Sequence, residues 1–309
     1  MRDTFVKTLL ELAKSDPNVH IITGDLGFGV LKPFWQQLPN QITNVGIAEQ
    51  NMTGFATGMA LEGKIVFTYS IGNFPTLRTL EQIRNDAAYH NANVKIVCVG
   101  GGLVYGSLGM SHHATEDIAI MRALPNVKVF SPGDPEETEV ITKLIYKEPG
   151  VCYLRLGRGG EKNIHKNDII PYVLGNAIKI FDGDDCAILS TGAISEEVIG
   201  AIKLLKDFGI HPGFYTFPTI KPIDKQVIHY IAAKYKKIFT VEEHNIIGGF
   251  GSSVSEVVSE YTDFLNTKVI KLGINDEYCS FVGSHKYLKS IFGLNSQSIY
   301  DIISNECRK

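Results

Sequence analysis

Val45-Gly46-Ile47-Ala48-Glu49-Gln50-Asn51 joins an apolar, strand-like run to a helical pattern rich in glycine and alanine. The carboxylate of Glu49 is thereby placed where it is partly desolvated, and its expected proton affinity rises. A group of that kind can hold a proton against a ring nitrogen of a bound heterocycle. A first-turn glutamate favoured by the helix dipole is the plain structural alternative. Small Gly46 and Ala48 let a flat ring approach the backbone, and Gln50 and Asn51 add polar contacts beside the acid.

Outward from this stretch, short apolar runs alternate with helical patterns along the whole chain, the rhythm of parallel-sheet proteins. Strands are expected at 19–23, 65–68, 94–99, 127–130 and 151–156, with helices at 5–14, 52–61, 77–90, 116–124 and 135–146. The last helix opens on Asp134 as cap, Pro135 at the first position and Glu137 to close a capping box. The polar, glycine-rich segment 157–163 reads as a linker. Beyond it a second series is expected, with strands at 186–191, 213–217, 237–241 and 268–271 and helices at 196–208, 225–235, 253–261 and 285–292. The expected architecture is α/β, with two parallel-sheet domains over 1–167 and 168–309.

The 309 residues are long enough for two cores. Thirty basic and 33 acidic residues are well mixed, and no Lys/Arg run offers a surface for nucleic acid. The amphipathic, charged start does not resemble a signal peptide, and 96–110 is short for a membrane span. A cytoplasmic protein is expected. The five scattered cysteines, without a CxxC pair, read as buried small hydrophobes in a reducing compartment.

Ligands of parallel sheets gather at the carboxyl ends of the strands. That selects the loops 24–29, 45–51, 69–76 and 100–116. Tyr69 and Phe74 form an aromatic pair that suits either a stacking wall for a ring or a lid on the core. The third loop runs on to Arg78. The fourth carries five glycines before His112 and His113. It lacks the Gly-Lys-Ser/Thr of a phosphate loop and any second cluster at zinc spacing, so no metal site is assigned. Adjacent histidines in a flexible glycine loop suit proton donation or hydrogen bonds to substrate oxygens. Gly248-Gly249-Phe250-Gly251-Ser252-Ser253 precedes a helix, and close packing of strand on helix explains it better than an anion site.

Taken together, three ordered segments resemble the transketolase family of thiamine diphosphate enzymes. Gly46-Ile47-Ala48-Glu49-Gln50-Asn51 resembles the catalytic-glutamate motif, and Gly109-Met110-Ser111-His112-His113 the Gly-Pro-Thr-His-Gln loop. Val241-Glu242-Glu243-His244 with Gly248-Gly249-Phe250-Gly251-Ser252 resembles the C-terminal domain signature. The match covers the pyrimidine-binding and C-terminal domains only.

The resemblance implies that Glu49 hydrogen-bonds the aminopyrimidine and favours its imino tautomer, which activates the thiazolium carbon for attack on a ketose. It implies that Tyr69 and Phe74 stack on or flank the pyrimidine, that Arg78 lines its pocket, and that Asp25 lies near the cofactor and a subunit contact. His112, with His113 beside it, would bind sugar oxygens, and Arg158 a substrate phosphate. The family's diphosphate and Mg²⁺ motif, Gly-Asp-Gly with a downstream Asn, is missing; Phe181-Asp182-Gly183-Asp184-Asp185 lies in the wrong domain. The resemblance therefore implies a companion N-terminal subunit that holds Mg²⁺ and shares the cofactor in a two-plus-two heterotetramer.

Leu108 stands where the family has a donor-sensing aspartate, Gly100 and Gly101 where relatives bind phosphate, and Gly29 where a serine is common. A non-standard sugar is the substrate this suggests. The alternatives are a 2-oxo acid dehydrogenase beta subunit, a deoxyxylulose-phosphate-type synthase, and a non-catalytic assembly partner.

Overall fold

Runs of Val, Ile and Phe without a polar face make strands buried on both sides, as sheets covered by helices require. The computed structural model describes residues 1–165, 172–260 and 266–309. Its strands are β1 (Val19–Thr23), β2 (Ile42–Asn44), β3 (Ile65–Ile71), β4 (Val94–Val99), β5 (Val127–Phe130), β6 (Val151–Leu156), β7 (Ile178–Phe181), β8 (Ala187–Ser190), β9 (Gly213–Thr216), β10 (Thr219–Lys221), β11 (Lys237–Asn245) and β12 (Lys268–Ile274). Its helices are α1 (Arg2–Ser15), α2 (Lys32–Gln37), α3 (Glu49–Leu61), α4 (Leu80–Gln82), α5 (Asp117–Ala123), α6 (Pro135–Lys147), α7 (Ser195–Asp207), α8 (Lys225–Lys234), α9 (Phe250–Ser259), α10 (His285–Ile291) and α11 (Ser296–Arg308).

The first sheet has the order β10-β5-β6-β4-β3-β1-β2 and the second β12-β11-β8-β9-β7. The two expected sheets are present, and each gains an antiparallel edge strand, β10 on β5 and β7 on β9. β10 belongs to the second half of the chain and completes the first sheet, so the domains share backbone hydrogen bonds. The three-residue β2 and β10 and the half-buried edge strand β7 carried too little pattern to be anticipated; neither α2 nor α11 was anticipated. The expected single helix over 77–90 is a 3₁₀ turn (Leu77–Thr79), α4 and a π-helical stretch (Ile83–Ala88). The expected domain boundary at 167/168, and the end of the expected helix at 261, fall outside the described residues.

Asp134 caps α6 by accepting from the Glu137 N–H at 2.7 Å. Glu137 reaches past Asp134 to the N–H of Gly133 instead of closing the expected capping box, and its other oxygen is engaged by Thr216 and His165. The 157–165 segment is accordingly strapped to α6, with His165 Nε2 2.8 Å from Glu137 and the Ile164 N–H donating to Asp134.

Arg155 fastens the domains together at the ends of the strands. Its buried guanidinium donates to Asp117 at 2.7 Å and to the carbonyls of Ala114 and Glu243. The Leu103 N–H donates to Glu243 Oε1 at 2.6 Å. Burial pushes the Glu243 carboxyl up, but His285 and that N–H more than offset it and hold the group below its ordinary range.

Candidate active site

Loops after β1, β2, β3 and β4 converge, as the sheet topology demands. Asn44, at the end of β2, accepts from the N–H groups of Gly46 (3.0 Å) and Asp25 (2.9 Å), and its amide donates to Asp25 Oδ1 at 3.1 Å. The exposed Asp25, at φ +57°, thus ties the first loop to the second. Gly46 lies at φ +75°, the left-handed region that favours glycine. A side chain added there would meet nothing within 4 Å among the described residues, so the approach to the loop is open.

Glu49 opens α3 and is only 3% exposed. Its Oε2 accepts from Arg78 Nη1 at 2.9 Å, a pairing that no local sequence pattern marks. The Arg78 guanidinium lies 4.4 Å from the centre of the Phe74 ring, a cation–π contact. Phe74 in turn meets the His112 ring edge-on at 5.1 Å. The backbone of His112 comes so close to Gly72 that a side chain there would sit 2.6 Å from its carbonyl oxygen. Ser111 Oγ lies 3.0 Å from His112 Nδ1. Beyond His112, the Tyr105 ring is 6.5 Å away, and the Arg158 guanidinium lies 5.4 Å from the Tyr105 centroid.

Glu49, Arg78, Phe74, His112, Tyr105 and Arg158 therefore form one continuous chain of contacts. Sequence reasoning missed Tyr105. The available signal was Gly100 five residues earlier, whose missing side chain leaves the space that the Tyr105 ring fills.

Two expected residues lie elsewhere. β3 runs to Ile71, so Tyr69 is a strand residue rather than a loop residue. Alternation turns it toward α1, where it is 2% exposed and stacked on Phe5 at 6.3 Å. Burial raises its phenol pKa. His113 is 3% exposed and lines a separate cavity that shares no residue with the contact chain. Nor is the glycine run a flexible loop: side chains at Gly100 and Gly102 would strike Tyr105 and Glu243.

Gly248–Ser253 is a packing device, as expected. Glu242 accepts from the N–H groups of Phe250 (2.6 Å) and Gly251 (2.7 Å), so the anion at the start of α9 is supplied by the protein itself. Cys98, Cys152, Cys186 and Cys279 are buried free thiols, and Cys307 is half-buried. Among the described residues no group of three or more His, Cys, Asp or Glu is placed to hold a metal ion, and no helix is long and apolar enough to cross a membrane.

The family model of the transketolase pyrimidine-binding domain matches residues 1–160, and that of the transketolase C-terminal domain matches 175–299. The chain belongs to the transketolase family. An apulose-4-phosphate transketolase subunit of Phocaeicola vulgatus is 36% identical over 96% of this chain and 94% of its own length. The 6-deoxy-6-sulfo-D-fructose transketolase subunit of a Clostridium species is 34% identical over 97% of this chain and 92% of its own. A split-gene transketolase solved as an inactive beta4 tetramer superposes with a TM-score of 0.88, at 32% identity, over 98% of this chain and 96% of that one. These transketolase relatives match the present chain nearly end to end.

The residues fit the pyrimidine half of thiamine diphosphate, the cofactor typical of the transketolase family. A buried acid stands at an open loop, with the Phe74 ring close behind its cationic partner.

Proposed function

We propose that this chain is the C-terminal subunit of a split transketolase that moves a two-carbon ketol unit between sugars. A companion subunit supplies the diphosphate and Mg²⁺ site, and two copies of each make the working particle in the cytoplasm. The observation that carries this reading is the contact chain from Glu49 through Arg78 and Phe74 to His112. The inactive beta4 state of the split-gene relative agrees with the need for a second kind of chain.

Bound thiamine diphosphate supplies an electron sink for carbon–carbon cleavage. Glu49, itself buried, would hold a proton at a pyrimidine ring nitrogen. Arg78 fixes the orientation of that carboxylate, and Phe74 gives the ring an apolar face. Asp25 braces the loop that carries Glu49. His112 donates to a sugar carbonyl or hydroxyl oxygen as charge develops there. Tyr69, packed under α1, supports the floor without touching a ligand, and His113 has no substrate role here.

Arg158 and Tyr105 close the far end of the chain. A guanidinium there suits a sugar with an anionic tail. The two relatives named for a sugar phosphate and a sulfosugar favour such a substrate over a neutral one. Transketolase subunits matched over 92–94% of their own length favour transfer over a synthase, of which the chain spans 48%.

The test is to assay the purified chain alone and together with the companion subunit, using phosphorylated and sulfonated ketoses as donors. Ketol transfer is expected only from the mixture. Turnover by the isolated chain, or release of CO₂ from pyruvate by the mixture, contradicts the reading.

A further inference from the structure

His113 and Asn73 stand at the edge of the candidate site and take no part in it. Together with Glu116, Leu77, Met110 and Tyr278 they line a cavity of about 300 Å³ between the loops of the first domain and a segment of the second. Among the described residues, the buried His113 Nε2 and Asn73 Oδ1 have no hydrogen-bond partner. A buried polar atom without a partner costs about 1–3 kcal/mol, so such atoms lining one cavity point to a missing partner. Among the described residues, Glu116 Oε2 accepts only from the N–H (3.2 Å) and hydroxyl (3.0 Å) of Thr115, and no lysine or arginine lines the cavity. Burial keeps the His113 imidazole below its ordinary pKa, so it adds no positive charge; Glu243 opposes this and His112 reinforces it.

The polar inventory is one carboxylate, one amide oxygen and one neutral ring nitrogen, set among apolar walls. Acceptors of this kind want a donor-rich cation. The aliphatic walls of Leu77 and Met110 suit the methylene stem that such a cation carries. We propose that this cavity receives an arginine or lysine side chain of the companion subunit. The occupant donates to Glu116, to Asn73 Oδ1 and to His113 Nε2, with the His113 proton on Nδ1. Placing that occupant on a companion rests on the split-enzyme reading; the preference of the cavity for a cation does not.

The experiment uses the full chain with ¹⁵N-labelled histidine, titrated with arginine amide while the His113 ring resonances are followed by NMR. Citrulline amide, of similar shape but uncharged, and erythritol serve as comparison ligands. The expected result is a saturable shift with arginine amide alone. Glu116→Gln weakens this binding about tenfold, as the loss of a charged hydrogen-bond partner does. Asn73→Leu, which keeps every charge, weakens it less, and both variants are checked for native circular dichroism. No shift with arginine amide, unchanged affinity in Glu116→Gln, or a shift with erythritol instead overturns the proposal; the last result would make the cavity a polyol site. Assembly with the companion supplies the second arm. Glu116→Gln is expected to raise the dissociation constant of the complex about tenfold. If arginine amide binds but assembly is unaffected, the companion is not the occupant, while the transfer reading still stands on its own assay.

Discussion

Glu49, the first residue of α3, and Glu242, a β11 residue whose side chain meets the start of α9, are both buried, yet their surroundings are opposite. Glu242 spends both oxygens on the N–H groups of Phe250 and Gly251. A side chain on the neighbouring Gly249 would sit 2.2 Å from Glu242 Oε2, so the space is full. Glu49 has one side-chain partner among the described residues, the half-exposed Arg78, and Gly46 looks onto nothing within 4 Å. A carboxylate consumed by a helix start holds the fold; one left beside an open loop is available to a ligand.

The largest effect that would break the contrast belongs to Glu49→Gln. In the assembled enzyme, turnover is expected to fall roughly 10²–10⁴-fold, the range for removing an acid–base group. The unfolding midpoint should barely move, because glutamine still accepts from Arg78. Unchanged turnover would put Glu49 in the same class as Glu242.

Gly249→Ala should act the other way. Overpacking against Glu242 is expected to cost about 1–3 kcal/mol in urea unfolding, with the cofactor site of the surviving folded protein intact. Gly46→Ala meets no atom, so only backbone strain at φ +75° remains, roughly 1–2 kcal/mol. Gly46→Asn should cost less than Ala, since asparagine tolerates that region. Equal losses for Asn and Ala would show that the open space at Gly46 is not what the geometry indicates.

The smallest effect concerns the 157–165 segment strapped to α6. Burial lowers the His165 pKa, but the hydrogen bond and charge of Glu137 win, and the folded value lies above the ordinary 6.5. A raised folded value means that the pair's stabilisation is complete below 6.5 and is lost as pH rises through the folded pKa. His165→Asn should remove that part of the pH dependence. A stability profile through this window that is the same in the variant would deny His165 the role.

The strands β1, β3, β4, β5 and β6 were legible because each is a mostly apolar run. Their expected and observed limits agree closely, apart from the three further residues of β3. Those residues decided the fate of Tyr69. Extending a strand by one turn of its alternation converts a loop aromatic into a core aromatic, and no periodicity marks where pairing stops. Glu49, His112, Phe74, Arg78 and Arg158 were legible as types at the carboxyl ends of strands. Their mutual contacts were not, because Arg78 reaches Glu49 across 29 residues of chain. The displacement of His113 from His112 was hidden for a related reason: a short 3₁₀ turn ends at His112 and His113 is extended, and only the fold says where each side chain goes. β10 escaped notice because three residues paired across the domains leave no local signature.

The central claim is that Glu49 serves the pyrimidine of a shared cofactor. The direct measurement is a crystal structure of the chain assembled with its companion and thiamine diphosphate. The account predicts a Glu49 carboxylate oxygen within hydrogen-bond reach, about 2.6–3.2 Å, of a pyrimidine ring nitrogen. A Glu49 side chain still turned wholly to Arg78, with no pyrimidine near it, would contradict it.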